Sequence, residues 1–455
     1  MKRVFLLCFI CIFHLSGKAQ YYLAHVNIID VEHGKVIAGQ YVYIEGHRIK
    51  SISSHPIKSA KAQLYDCTGK YVMPGLWDMH IHDAGDDSSN RHEYVPLFLA
   101  NGVTGIRDMW GSDEMLKLKA DIEADKLIGP RMIIGSLIID GEKPFFKTAL
   151  SASTPAQGRH YVDSLAAAGY DFIKIYTMIR EPVYLAIADE CKKKGIAMEG
   201  HLPMEIGLEE AVGAGQRSFE HNFNVNRYLT GKEAGYLAWS RHYLDTAHLP
   251  LKAEFMVQNE PLGVSGKDFS LSPAVLNKMI ENRVAVVPTL TLAQGRSINP
   301  DTMAKRTKGL EFLSLGFVNY WKRQRPVLPE DLVQIFGAAA KFLMDKGVLI
   351  LAGTDVNNPF CVPGFGLQQE LVNLHNAGLT NLQVLQTATL NPAKFLYKEK
   401  DLGTVTAGKL ADLLILEENP LSDIRNTQKI NAVITNGNYI AKDEIKRMLD
   451  VQRKR

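Results

Sequence analysis

Cysteine is scarce in this 455-residue chain, and its distribution excludes a disulfide framework. Cys8 and Cys11 fall within the first twenty residues, and Cys67, Cys191 and Cys361 are an odd number set far apart. None of these three has the CxxC spacing of a zinc knuckle, so a hydrophobic core must supply the stability. An excess of one charge sign is also missing. The 52 Lys and Arg against 49 Asp and Glu leave a formal +3, which points to neither nucleic acid nor an acidic membrane surface. After the opening segment no apolar run reaches the roughly 20 residues of a membrane span. No low-complexity stretch and no fixed-period repeat stands out.

The opening segment is different in kind. Met1-Lys2-Arg3 is basic, Val4 to Leu15 is apolar apart from His14, and Ser16-Gly17-Lys18-Ala19-Gln20 is small and polar. That layout predicts a signal peptide over residues 1–20, cut near Ala19 or Gln20, and therefore an exported protein, periplasmic or extracellular. A buried strand or an uncleaved anchor is the alternative. No cysteine follows the small residues, so lipid attachment there has no support. The mature chain is expected to be soluble, without an integral membrane span.

What remains has ordinary globular composition, 46% hydrophobic and 22% charged, and is long enough for one large core and a smaller one. Residues 21–72 carry short alternating runs, HVNIIDV, QYVYIEGHRIKSI and QLYDCTGKYV, punctuated by glycines. The texture returns within 401–455, in KLADLLILEEN and KINAVITNGNYI. Both ends are expected to pair into one small, discontinuous β-sandwich. Between them, over 73–400, eight apolar runs alternate with amphipathic segments: 76–82, 102–109, 131–139, 171–177, 196–202, 218–223, 284–292 and 348–355. Repeated βα units predict an α/β fold, and eight of them a closed (β/α)8 TIM barrel. The long connection at 224–283 is expected to cap or line a site.

Several runs end in polar residues. LWDMHIH closes on His80 and His82, one residue apart and so on one face of a strand. DFIKIY carries Lys174, EGH ends in His201, FEH in His221 and VLILAGTD in Asp355. Each alone has a bland reading as a strand-end cap, a satisfied core histidine or an ion-paired lysine. In a barrel, however, all these ends meet at one mouth, where active sites of that fold lie. Imidazole and carboxylate are the usual ligands of Zn2+ and related dications. Lys174, carbamylated by CO2, would add a bridging carboxylate and complete a two-metal site with ions about 3.5–4 Å apart.

The segments PGLWDMHIH, GVTGIRDM, IKIY, EGH, EH and AGTD, with NPAKFLYKEKDLGTVTAGKLADLLILEENPL near the end, resemble the amidohydrolase superfamily in order and spacing. The likeness covers nearly the whole mature chain. It is greatest to the imidazolonepropionase-related and Xaa-Pro dipeptidase-like branch. The resemblance implies that His80, His82 and Asp355 hold the more buried metal, His201 and His221 the more exposed one, and carbamylated Lys174 bridges both. It implies that Asp355 takes the proton of a bridging hydroxide and delivers it to the leaving amine. Dipeptidase-like members tend to carry Gly-Gly-His after the third strand, whereas this chain reads IIDGEKPFF at 138–146. That departure weighs against a prolidase substrate. Tyr176, Tyr228, Arg227 and loop 140–146 are the candidate substrate contacts, each with scaffold as its plainer role.

The expectation is an exported, metal-dependent hydrolase of C–N amide bonds, acting on dipeptides or N-acyl amino acids with two divalent ions, zinc foremost. A cyclic-amide hydrolase of imidazolone or hydantoin type is the alternative. A deaminase fits less well, since such members generally use one metal and lack the lysine. A catalytically silent binding module on the same fold is the rival from outside enzymes. The partner is a small amide or peptide, not nucleic acid, and a homo-oligomer is expected.

Overall fold

The computed structural model describes residues 20–56, 62–82, 94–246, 268–325 and 328–453. The expected signal peptide, but for Gln20, lies outside them. Alternating apolar residues near the N-terminus form β1 (Gln20–Asp30), β2 (Lys35–Glu45), β3 (Arg48–Ser53), β4 (Gln63–Asp66) and β5 (Tyr71–Pro74). Strand β1 is long and changes partner along its length. Its first half pairs with β4 and its second half with β5, with bulges against β2 between Leu23 and Ile28. Bulges bend a strand and sharpen its twist, which lets the sheet turn a corner there.

The second group of strands belongs to the middle of the chain: β6 (Leu76–Ile81), β7 (Val103–Asp108), β8 (Arg131–Ile134), β9 (Ile139–Asp140) and β10 (Leu150–Ser151). It continues with β11 (Phe172–Ile175), β12 (Ala197–Gly200), β13 (Gln216–Glu220), β14 (Ala285–Val287) and β15 (Leu349–Ile350). Near the C-terminus β16 (Leu413–Leu416), β17 (Ile430–Thr435) and β18 (Asn438–Ala441) return to the first group. They pair β18-β17-β16-β5-β1-β2-β3, with β4 on β1, in a single eight-stranded sheet. The Tyr65 ring of β4 stacks at 3.8 Å on Tyr439 of β18, and Arg48 bridges to Leu410. The two-sheet sandwich expected from sequence is thus one sheet folded over its own core of Leu23, Val42, Ile44, Val72, Leu413 and Ile434. An ion pair of 2.5 Å, Lys70 to Glu417, ties the two chain ends beside β5 and β16. The last helix, Lys442–Arg453, leaves this sheet and packs against the helix Val95–Ala100.

Each of the eight apolar runs contains or overlaps a parallel strand, but they do not make one continuous closed ladder. Two parallel sheets form, β6-β7-β8 and β10-β9-β11-β12-β13-β14-β15. They meet through isolated bridges at two seams, Gly135↔Phe172 and Ile81↔Val356. At the second seam Met79 N–H donates to Ala352 O at 2.9 Å and His82 N–H to Val356 O at 3.0 Å. Regular pairing stops where the chain bends: β15 is two residues long and is followed within five residues by Asp355 at φ 62°.

The sides of these strands divide the labour. Ile173, Ile175, Val286 and Ile350 face the helices and join Tyr184, Ile187, Phe336 and Leu343 in the main core. Burying each such side chain contributes about 1.5–3 kcal/mol. Alternation along β11 then puts Lys174 on the opposite face, fully buried. Of the 224–283 connection, the helix Glu233–Thr246 packs Tyr236 against Met178 and Met204, and Glu233 receives the Leu208 N–H at 2.7 Å. It therefore sits beside the segments that follow β11 and β12. No helix of the described residues is long and apolar enough to cross a membrane, and Cys67, Cys191 and Cys361 are buried and free.

Candidate metal centre

Strand β6 delivers His80 and His82 to one face, as their spacing predicts. Their Nε2 atoms stand 3.2 Å apart, and Asp355 Oδ1 lies 3.3 Å from the first and 3.0 Å from the second. The approach of Asp355 depends on Gly353. A Cβ there would fall 2.8 Å from His80 Cβ and 2.9 Å from His80 N, so a larger residue would push the two strands apart. Gly200 does the same for His201: it lies at φ 137°, and a Cβ would strike Ile175 O at 2.2 Å.

His221 and His201 join the group from β13 and β12. His221 Nε2 is 3.8 Å from Asp355 Oδ2, and the His221 ring centroid is 4.8 Å from that of His80 and 4.9 Å from that of His201. Three residues at strand ends hold backbone conformations rare outside glycine: His221 at φ 62°, Thr289 at 48° and Asp355 at 62°. Such strain persists only where surrounding structure fixes it, and it concentrates at functional sites. Here it turns both the His221 and Asp355 side chains toward the cluster.

Three of the four imidazoles are set by a partner at Nδ1, and the Nδ1 of His82 has none among the described residues. His80 Nδ1–H donates at 2.7 Å to Glu220 Oε2, leaving Nε2 free to face Asp355. His221 Nδ1 shares a hydrogen bond of 2.7 Å with Thr289 Oγ1, and His201 Nδ1 one of 2.9 Å with Thr177 Oγ1. Glu220 is held in turn by Arg107, which donates to it at 2.8 Å, to Glu199 at 2.6 Å and to Met79 O at 2.7 Å. Arg107, Glu199 and Glu220 are all buried. Burial alone would raise the Glu220 pKa, but Arg107 and then His80 outweigh it and hold the carboxyl far below its usual range. An ionised Glu220 can only accept, which fixes the His80 tautomer.

The electrostatics separate the groups into types. Burial keeps His82, His201 and His221 below the usual imidazole pKa, His221 at about 3; all three are neutral and have lone pairs to offer. For His80 burial acts the same way, but Asp355 and Glu220 together outweigh it and raise the pKa. Asp355 resists burial through His80 and His82 and stays well below the usual carboxyl range. Lys174 is pushed down by burial to about 8, against the pull of Glu220 and Asp355. Among the described residues its Nζ has no hydrogen-bond partner, and Asp355 Oδ1, though close to two Nε2 atoms, receives no well-directed bond. These orphaned buried atoms, beside the close Nε2 atoms of His80 and His82, are what a cation site presents. His80, His82 and Asp355 offer ligand atoms within 4.8 Å of one another. The donor set fits divalent ions.

Tyr176, expected as a substrate contact, is at the cluster: its ring is 3.9 Å from that of His201. Arg227 and Tyr228 are placed in the packing of the insertion. The Arg227 guanidinium lies 3.8 Å over Tyr236 and donates to Asn224, and Tyr228 packs on the main core. Sequence reasoning passed over Arg107, Glu199, Glu220, Thr177 and Thr289. Glu220 sits inside the FEH motif and Arg107 inside GVTGIRDM, so a charged residue within each apolar strand was the available signal. Glu220→Gln removes the charge that orients His80. Such partners are typically worth about 10–100-fold in metal affinity, and competition of the zinc-loaded variant against a chelator should show a loss in that range. Unchanged affinity would remove Glu220 from this role.

A model of the amidohydrolase family matches residues 71–440. Ochratoxinase from Aspergillus niger is 25% identical over 375 residues, which cover 80% of this chain and 73% of that protein. Among solved structures, a bottromycin amidohydrolase superposes with a TM-score of 0.72 at 21% identity, covering 96% of this chain and 91% of that one. A Xaa-Pro dipeptidase with methionine bound in its active site gives 0.65 at 21% identity, over 93% of this chain and all of that one (100%). The two solved structures establish likeness of fold.

Proposed function

The chain belongs to the amidohydrolase family and is a hydrolase of carbon–nitrogen bonds, and we propose that it cleaves the amide bond of dipeptides or N-acyl amino acids. In this reading His80, His82 and Asp355 hold one divalent ion, His201 and His221 a second, and carbamylated Lys174 both; zinc is the first candidate. Bound there, such ions supply Lewis acidity and make a water molecule acidic enough to ionise at neutral pH.

The observation that carries the reading is Lys174, fully buried on β11 and without a hydrogen-bond partner among the described residues; burial there pushes its pKa down to about 8. At neutral pH a larger share of this lysine is the free amine than of an exposed one. The amine nitrogen attacks CO2, a proton leaves, and a carbamate carrying one negative charge replaces the ammonium. That charge offsets dications which neutral imidazoles cannot. Asp355, kept ionised among histidines, is the group able to accept a proton from the attacking water and return it to the departing nitrogen. His80 is held for its task by Glu220 and Arg107.

In the same reading residues 73–400 form the catalytic barrel, closed across its two seams. Residues 21–72 and 401–455 form an accessory β-domain, the first twenty residues direct export, and the protein works as a homo-oligomer. Turnover of a library of dipeptides and N-acyl amino acids by metal-loaded protein tests the substrate class. Cleavage is expected to stop on chelation and return with zinc. A protein that takes up metal yet turns over no amide in the library would contradict the reading.

A further inference from the structure

Three aromatic side chains stand at the mouth outside every apolar core cluster of the described residues: Trp110 after β7, Phe146 in the loop after β9, and Tyr176 after β11. All three are partly exposed. They form a continuous arc. Trp110 lies 6.1 Å from His82 and 4.9 Å from Phe146, centroid to centroid; Phe146 is 5.5 Å from Tyr176, which is 3.9 Å from His201. The arc runs from one half of the histidine cluster to the other.

Its geometry is set before any ligand arrives. Asp140 accepts the N–H groups of Gly141 at 3.0 Å, Phe145 at 2.8 Å and Met178 at 2.6 Å, which pins loop 140–146 to the segment after β11. Phe145 packs with Met178, Met204 and Tyr236, leaving its neighbour Phe146 to meet Trp110. Exposed apolar surface that serves no core is stabilised when an apolar group covers it, and such patches mark binding sites. The rings are tilted by 44° and 51° to one another, an arrangement into which a further ring fits edge to face.

We infer that Trp110, Phe146 and Tyr176 select substrates carrying an aromatic side chain next to the scissile amide. The inference rests on the amide-hydrolase reading and narrows it. Two measurements on the full-length, zinc-loaded protein keep the two apart. The first compares kcat/KM for N-acetyl-phenylalanine against N-acetyl-alanine, and for phenylacetyl-glycine against acetyl-glycine. At least one aromatic member should lead its partner by roughly tenfold or more, the scale of a filled apolar pocket. In Trp110→Ala and Phe146→Ala, and in the gentler Trp110→Leu and Phe146→Leu, that ratio should fall toward one, mainly through KM. The second measurement needs no turnover: calorimetric binding of 3-phenylpropanoate against propanoate, where the phenyl compound should bind more tightly and lose that lead in the variants.

If no amide is cleaved but 3-phenylpropanoate keeps its lead, the proposed dipeptide and N-acyl amino-acid substrate class fails and the aromatic arc stands. Equal binding of the two acids, or a preference untouched by the substitutions, overturns the inference.

Discussion

Asp355→Asn is expected to lower kcat by at least about 10²–10⁴-fold, the typical contribution of a general acid–base group. Asparagine keeps the size of the side chain and its place beside His80 and His82, but it cannot hold a transferable proton at neutral pH. In the native protein burial alone would favour the neutral acid, and His80 and His82 reverse that. Asp355 is therefore ionised, and its free carboxylate is the form a base requires. The loss is expected to exceed what a base alone explains, because the same oxygen is placed to ligate a cation and the two roles are not additive. The fold should survive, since Asp355 lies beyond the strand β15 and outside the apolar core clusters. Steady-state kinetics and circular dichroism on one preparation separate chemistry from folding. A variant retaining more than about a tenth of wild-type kcat would rule out Asp355 as the base.

Lys174→Ala should be comparably damaging and, unlike the asparagine variant, repairable. Alanine leaves a void beside Tyr176 and removes the only group on β11 able to become a carboxylate by reaction with CO2. Added acetate or propanoate fits that void and supplies the missing charge, so activity should return in proportion to acid concentration, with bicarbonate alone giving none. Native activity in the alanine variant would end the bridging role. Lys174→Arg provides a control of opposite sign: guanidinium keeps the cation, cannot form the carbamate under these conditions, and should not be rescued.

The order of strands and the identity of the clustered residues were legible in the sequence because both depend on short-range pattern. Eight apolar runs became eight parallel strands, and the one-residue spacing of His80 and His82 placed both rings on one face. His221 and Asp355 were harder. Both have positive φ, so the side chain leaves the alternation on which strand reasoning depends; only their position at a run's end pointed inward. The seams between the two parallel sheets were not readable, because they arise where Gly135 and the stretch from Gly353 to Asp355 break regular pairing, a tertiary effect. The folded single sheet was missed for a similar reason, since the bulges in β1 depend on its three partners. The buried charges Arg107, Glu199 and Glu220 were in view, but an isolated charge inside an apolar strand does not reveal which distant strand carries its partner.

The central claim is that six side chains from five strand ends hold two divalent ions joined through a modified lysine. The most direct measurement is anomalous diffraction at the zinc edge from crystals of the zinc-loaded protein, with electron density at Lys174 read from the same data. The account predicts two anomalous peaks, one bounded by His80, His82 and Asp355 and one by His201 and His221, with carbamate density extending from Lys174 Nζ between them. A single peak or none among these residues, with Lys174 ending in a bare ammonium, would contradict it.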